Sequence, residues 1–396
     1  MSIETATDFT LLPLPLIHFG PGRISDLLSF CSSFGRNLLL VTGKHTLQRS
    51  GRLTALLEEF GRNGINCTHL PVDGEPSPEL VDRAVDLGRT KNVEVVAAIG
   101  GGSVMDAGKA ISAMLLHHHS VERFIEGQEG CLPHDGRKVP FIAVPTTSGT
   151  GSEVTNNAVI SRVGPGGYKR SLRHPAFVPD IAIVDPELMV TAPAGLTAAS
   201  GMDACTQLLE AYLSPFANPY TDALACSGLE RFSRSFMKAC GEGAAEVAVR
   251  ADMAYAALMS GIALANAGLG IVHGFASSVG GLVGIPHGTL CATLLAESTR
   301  ENIEQLRGHG ADHPALIKFA KAGEILTGLP GGNIREGCDR LVGRLEEWQA
   351  KLEFPRLGAY GLREQDFDDI ITATRSKSNA VGLDSSSMRR ILTARL

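Results

Sequence analysis

Ile99-Gly100-Gly101-Gly102-Ser103-Val104-Met105-Asp106-Ala107-Gly108-Lys109 sets a run of glycines between two different patterns. Before it, Val93-Glu94-Val95-Val96-Ala97-Ala98-Ile99 reads as a buried strand; after it, from Val104, a helix is expected. Glycines at such a junction let the backbone approach a phosphate closely, and the N–H groups at a helix start point toward an anion. Ser103 adds a hydroxyl donor. Asp106 stands in the first turn, placed to cap the helix or to hydrogen-bond near a pyrophosphate. Read alone, the segment is either such an anion site or only a tight strand-to-helix turn. The dinucleotide fingerprint GxGxxG is absent, so an ordinary Rossmann reading is not licensed.

Working outward, residues 38–43 read as a buried strand and 52–60 as an amphipathic helix, with further strands at 141–144, 158–162 and 181–184. Strands separated by helices predict parallel βαβ units in a covered sheet. After Pro193, Ala, Leu, Met and Glu recur at helical spacing through 197–212, 220–240 and 246–266. The expectation is therefore two domains. An α/β dinucleotide-binding domain with a parallel, Rossmann-like sheet spans 1–190, and an all-α helical domain spans 191–396.

Composition excludes several other classes. The 396 residues are 44% hydrophobic and 20% charged, as in a globular protein. Lys plus Arg count 36 against 42 Asp plus Glu, which argues against nucleic acid and anionic membrane as partners. Aromatics are 5%, with Trp348 the single tryptophan, too few for a base-stacking platform. Cys31, Cys67, Cys131, Cys205, Cys226, Cys240, Cys291 and Cys338 form no CxxC pair and read as reduced thiols of a cytoplasmic protein. The opening MSIETATDFTLLPLP lacks a basic stretch followed by an apolar run, so no signal peptide is expected. Residues 253–296 contain no Asp, Glu, Lys or Arg, but repeated glycines with His273, Pro286 and His287 suggest a pair of buried helices rather than a membrane span. His117-His118-His119 reads as a solvated helix end.

Two further segments carry chemistry. Pro145-Thr146-Thr147-Ser148-Gly149-Thr150-Gly151-Ser152-Glu153-Val154-Thr155 is a hydroxyl-rich loop after strand 141–144, where ligands bind in open α/β sheets. Gly201-Met202-Asp203-Ala204-Cys205-Thr206-Gln207 places Asp203 and Gln207 on one helix face. A carboxylate among Ala, Met, Cys and Leu is costly to bury without a cation. Asp203, His273 and His287 are a ligand set for a divalent transition metal, although each histidine taken singly is more often a satisfied core residue.

In order, GGGSxxDxxK, PTTxGTGSEVT, GxDA and then a His fourteen residues ahead of a PHG histidine resemble the iron-containing (group III) alcohol dehydrogenase family. The resemblance covers nearly the whole chain and is less clear from about Gly361. It implies an active site in the cleft between the two domains. Gly101, Gly102, Ser103 and Asp106 would hold the pyrophosphate and nicotinamide ribose of NAD or NADP; Thr146, Thr147 and Thr150 would line the cofactor, with Asn157 and Lys169 as further contacts. The family's metal ligands map to Asp203, His273 and His287, but the fourth position is Gln207 where the family has His. Ser277 stands where many members carry another His. A neutral amide is a weaker ligand than imidazole for Fe²⁺ or Zn²⁺.

The resemblance implies reversible hydride transfer between the nicotinamide and a small alcohol or aldehyde, with a metal polarising the oxygen. Ser277 with water, or the cofactor ribose hydroxyls, would relay the proton, and His273 would serve as general acid were the metal absent. One alternative is a metal-independent oxo-acid reductase of the maleylacetate reductase type. Another, from a different class, is a non-catalytic nucleotide-binding protein. A cytoplasmic homodimer is expected by analogy. After the strand at 38–43, many NAD-preferring relatives have an Asp that repels a 2′-phosphate; here Gly43 and Lys44 suit NADP, or Gly43 merely ends the strand and Lys44 faces solvent.

Overall fold

The computed structural model describes residues 8–162 and 167–396. Residues 1–7, on which part of the signal-peptide expectation falls, lie outside them. The strands are β1 (Leu16–Phe19), β2 (Asn37–Gly43), β3 (Asn66–Val72), β4 (Val95–Gly100), β5 (Phe141–Pro145), β6 (Asn157–Arg162), β7 (Tyr168–Arg173) and β8 (Ile181–Val184). The helices among them are α1 (Leu27–Phe34), α2 (Thr46–Arg49), α3 (Arg52–Arg62), α4 (Pro78–Thr90) and α5 (Gly102–Met114). After Pro193 come α6 (Ala194–Leu213), α7 (Pro219–Ala239), α8 (Val247–Ala267), α9 (Ile271–Leu282) and α10 (His287–Arg307). The chain ends in α11 (Pro314–Thr327), α12 (Ile334–Lys351), α13 (Phe367–Ala373) and α14 (Ser385–Ala394).

Six strands form one parallel sheet in the order β1-β8-β5-β4-β2-β3. The inner strands are apolar on both faces because both are covered. Leu39, Val41, Val96 and Ala98 pack with Val81 and Val85 of α4 and with Ala107 and Ile111 of α5. The alternate residues Leu38, Leu40, Val95 and Ala97 pack with Leu27 of α1 and Phe60 of α3. The strand order reverses between β2 and β4, so the carboxyl ends of these strands, at Gly43 and Gly100, flank the crevice where such sheets bind ligands.

The segment expected as a parallel strand at 158–162 does not join this sheet. It is β6, which pairs antiparallel with β7 in a separate two-stranded sheet. Ala158, Ile160 and Leu172 face the α5 side of the core while Arg162 and Arg173 stay exposed, an alternation that suits a one-sided hairpin. The charge-free stretch holds three helical segments rather than two: the end of α8, all of α9 and the first half of α10. Among the described residues α8 alone is long and apolar enough to cross a membrane, and 72% of that window is buried inside the protein, as in a core helix. In the histidine triplet, His118 and His119 are exposed, whereas half-buried His117 packs on the His134 ring at 4.1 Å. Both nitrogens of His134 are already engaged, by Ala113 O and Gly136 N–H.

The sheet and the helices meet backbone to backbone. Gly151, left-handed at φ 60°, sits where an added Cβ would lie 2.5 Å from Gly261 Cα and 2.6 Å from Gly261 N on α8. Only glycine on both sides permits that approach. Gly261→Ala should therefore destabilise the fold by about 1–3 kcal/mol. A thermal melt unchanged from the parent would show that the seam is slack.

Candidate active site

β4 delivers the glycine run to the edge of the sheet, and Thr146 N–H donates to Gly100 O at 2.8 Å, holding the threonine loop against it. Gly101 is the N-cap of α5 and offers no side-chain cap; the Val104 N–H donates to Gly101 O, which leaves the Gly102 and Ser103 N–H groups for a ligand. A Cβ at Gly102 would lie 2.6 Å from Thr150 Cγ2, so the two loops are packed together. Gly101, Gly102, Ser103, Thr146, Thr147 and Thr150 are all half-buried along this crevice.

Asp106 does not cap α5. Its carboxylate accepts from Ser152 Oγ at 2.8 Å. Burial raises the Asp106 carboxyl, while Lys109 and Ser152 draw it down. The Lys109 ammonium, fully buried, donates to Ser152 O at 2.8 Å, Ser152 Oγ at 3.1 Å, Thr155 Oγ1 at 3.0 Å and Asn157 O at 2.8 Å. Burial pushes it down to about 8, with Asp106 and Glu153 opposing. The Asn157 amide is turned to Ser171 Oγ at 3.3 Å. Lys169 is ion-paired with Glu75. Against the raising effect of burial, Lys169 holds Glu75 below the usual carboxylate range, and His287 contributes to the same pull from across the cleft.

The threonine loop touches α6 at Ser200, one turn ahead of Asp203. Asp203 is buried, and its Oδ1 lies 3.3 Å from His273 Nε2 on α9 and 3.4 Å from His287 Nε2 on α10. Burial works to raise the Asp203 carboxyl, but the two imidazoles pull it far below the usual range. Against burial, Cys291 and Asp203 push His287 up to about 9 and His273 well above its ordinary value. The donor set suits a divalent metal: a carboxylate, two imidazole nitrogens and the Cys291 sulfur all lie within 4.8 Å of one another.

Two residues here escaped the sequence reading. Glu210, one turn past Gln207 on α6, takes the Val272 N–H on Oε1 at 2.7 Å and meets His273 Nδ1 with Oε2 at 2.7 Å. It thereby caps the start of α9 and turns the His273 Nε2 toward Asp203. The other is Cys291, whose signal was its position four residues after His287 on one helix face. Gln207, expected as the fourth ligand, has its Oε1 held by Ser260 Oγ at 2.6 Å, an α6–α8 tie. Ser277 is exposed, and its hydroxyl donates back to His273 O at 3.1 Å. The C-terminal region buttresses α9, with Asn379 Oδ1 accepting from Ile271 N–H at 3.1 Å.

A phosphate-ready parallel sheet beside a carboxylate–imidazole cluster is the arrangement of a nucleotide-dependent enzyme with a metal-capable centre. The family model described as iron-containing alcohol dehydrogenase matches residues 15–186, and the C-terminal model of the same family matches 197–392. The chain belongs to the iron-containing alcohol dehydrogenase family. It is 32% identical over 362 residues to an NADPH-dependent butanol dehydrogenase of Clostridium saccharobutylicum, covering 90% of this chain and 87% of the relative. It is 29% identical over 385 residues to an NAD-dependent methanol dehydrogenase of Bacillus methanolicus, covering 94% and 96%. The crystal structure of a 1,3-propanediol oxidoreductase superposes with a TM-score of 0.88 at 30% identity over 98% of this chain and 100% of that one.

Glu153, in the threonine loop, is 3% exposed, and burial pushes its carboxyl up to about 7 from an ordinary 4.5, with Lys109 pulling against it. The folded protein thus binds a proton there that the unfolded chain releases. That contribution to stability is complete below about pH 4.5 and lost as pH rises through about 7. Glu153→Gln should remove this slope and stabilise the protein at pH 8 by about 1–3 kcal/mol. Melts of both proteins from pH 5 to 8 test it; parallel pH dependences would refute the assignment.

Proposed function

We propose that the chain transfers a hydride reversibly between NADP(H) and a small alcohol or aldehyde, with residues 1–190 holding the cofactor and 191–396 the metal and substrate. The observation that carries this reading is the donor cluster of Asp203, His273 and His287 standing one helical turn beyond the point where the threonine loop meets α6. When bound, the nicotinamide carries the hydride and a divalent metal polarises the substrate oxygen.

The chain's own groups do the rest. The N–H groups at Gly101, Gly102 and Ser103 bind the pyrophosphate, and Thr146, Thr147 and Thr150 line the ribose side. Lys109 and Asp106 hold Ser152 and so keep the threonine loop in place. Asp203, His273 and His287 hold the metal, with Glu210 fixing the His273 tautomer. Ser277, exposed one turn beyond His273, is the outlet for the proton. Lys169 and Arg170, cations that an oxo-acid could use, are already engaged by Glu75 and by the Gly127 carbonyl, which favours a neutral substrate. Eight unpaired cysteines support the cytoplasm as the compartment. The edge position of β1, with Leu16 exposed, supports a homodimer.

Cofactor choice rests on the end of β2. A Cβ at Gly43 would meet only Val104 Cγ2, at 3.8 Å, so the corner is open to a 2′-phosphate. Lys44 is exposed, as the alternative reading has it, and pairs with Asp73 at 2.7 Å. An exposed pair of this kind is screened by solvent and contributes little, so a phosphate can displace it. NADP(H) should give a kcat/KM at least equal to that of NAD(H) with a small aldehyde, and Gly43→Asp should shift preference toward NAD(H) by repulsion. A parent enzyme favouring NADH more than tenfold, about 1.4 kcal/mol, contradicts the reading.

A further inference from the structure

Position 207 holds a glutamine whose oxygen is occupied by Ser260, while a buried thiol that the family pattern does not assign stands inside the cluster. Cys291 lies one turn after His287, so the two side chains leave the same face of α10. Its Sγ is 3.9 Å from His273 Nε2 and 3.9 Å from His287 Nε2. A tetrahedral centre with ordinary zinc bond lengths has N···O edges of about 3.3 Å and S···N edges of about 3.6 Å. The two N···O separations here are 3.3 Å and 3.4 Å, at the tetrahedral value, and the two S···N separations of 3.9 Å are slightly longer than it. Charge agrees with geometry. Among the ligands themselves a carboxylate and a thiolate cancel a dication, with Glu210 a further carboxylate outside them on His273 Nδ1.

We propose that Cys291, as thiolate, is the fourth protein ligand of this centre in place of residue 207, and that the resulting O, N, N, S set shifts its selection from ferrous iron toward zinc. The proposal rests on the metal-assisted dehydrogenase reading above and goes beyond it in the ligand and the ion.

The test uses full-length protein stripped with a chelator and reloaded with Co²⁺, whose spectrum reports its ligands without any turnover. The parent should bind cobalt and show an intense near-ultraviolet sulfur-to-cobalt charge-transfer band, a result that needs no variant to fold. Cys291→Ser should lose that band and lose cobalt to a competing chelator at least tenfold more readily. Offered Zn²⁺ and Fe²⁺ together without oxygen, the variant should take up a lower ratio of zinc to iron than the parent. Cobalt bound stoichiometrically without the band, a band that survives Cys291→Ser, or an unchanged zinc-to-iron ratio overturns the proposal and leaves the dehydrogenase reading standing. Failure to bind cobalt at all removes both the ligand assignment and the metal centre.

Discussion

One buried ammonium fixes the geometry on which the cleft depends. Lys109, on the helix that follows the glycine run, reaches the backbone and hydroxyls of the threonine loop and the first residue of β6. A charge taken out of water costs several kcal/mol unless it is fully engaged. Four acceptors and the neighbouring Asp106 offset that cost only while the loop keeps its shape. The loop's shape in turn sets Gly151 against Gly261 on α8 and brings Ser200, and with it α6, to the cofactor edge. The donor cluster is therefore placed by packing that begins at Lys109, although no cluster residue touches it.

The electrostatics of the cluster follow the same logic. Asp203 and Cys291 are buried and His273 and His287 half-buried, four ionisable groups in one small space. Two negative groups among two imidazoles are balanced either by two protons on the imidazoles or by one dication between them. On the proposed reading, proton binding and metal binding are alternatives at one site. Glu210 makes them more so, because its hold on His273 Nδ1 leaves Nε2 as the position where either is accepted.

Much of this was legible in the chain. Inner strands such as β4 are continuous apolar runs, and the Gly and Thr loops stand at their ends, so sheet, crevice and cofactor motifs could be read from order alone. Edge strands were not. β1 has four residues, β3 carries Pro71, and β7 is Tyr-Lys-Arg-Ser-Leu-Arg, each too short or too polar to show the continuous apolar run of the inner strands. The ligand cluster was legible where a family pattern named it and obscure where the chain departs from it. Gln207 drew attention as a missing ligand, whereas Cys291 was one of eight scattered thiols until the fold set it beside both histidines. Glu210 was hidden for the same reason: its partners lie 62 and 63 residues away.

The central claim is that hydride transfer in this protein depends on a divalent metal held by Asp203, His273 and His287. Elemental analysis of protein purified without chelator, paired with NADPH-dependent aldehyde reduction before and after metal removal, tests it most directly. The account predicts about one transition-metal ion per chain, activity lost on chelation, and activity recovered when the same ion is returned. Full activity in demonstrably metal-free protein would contradict it.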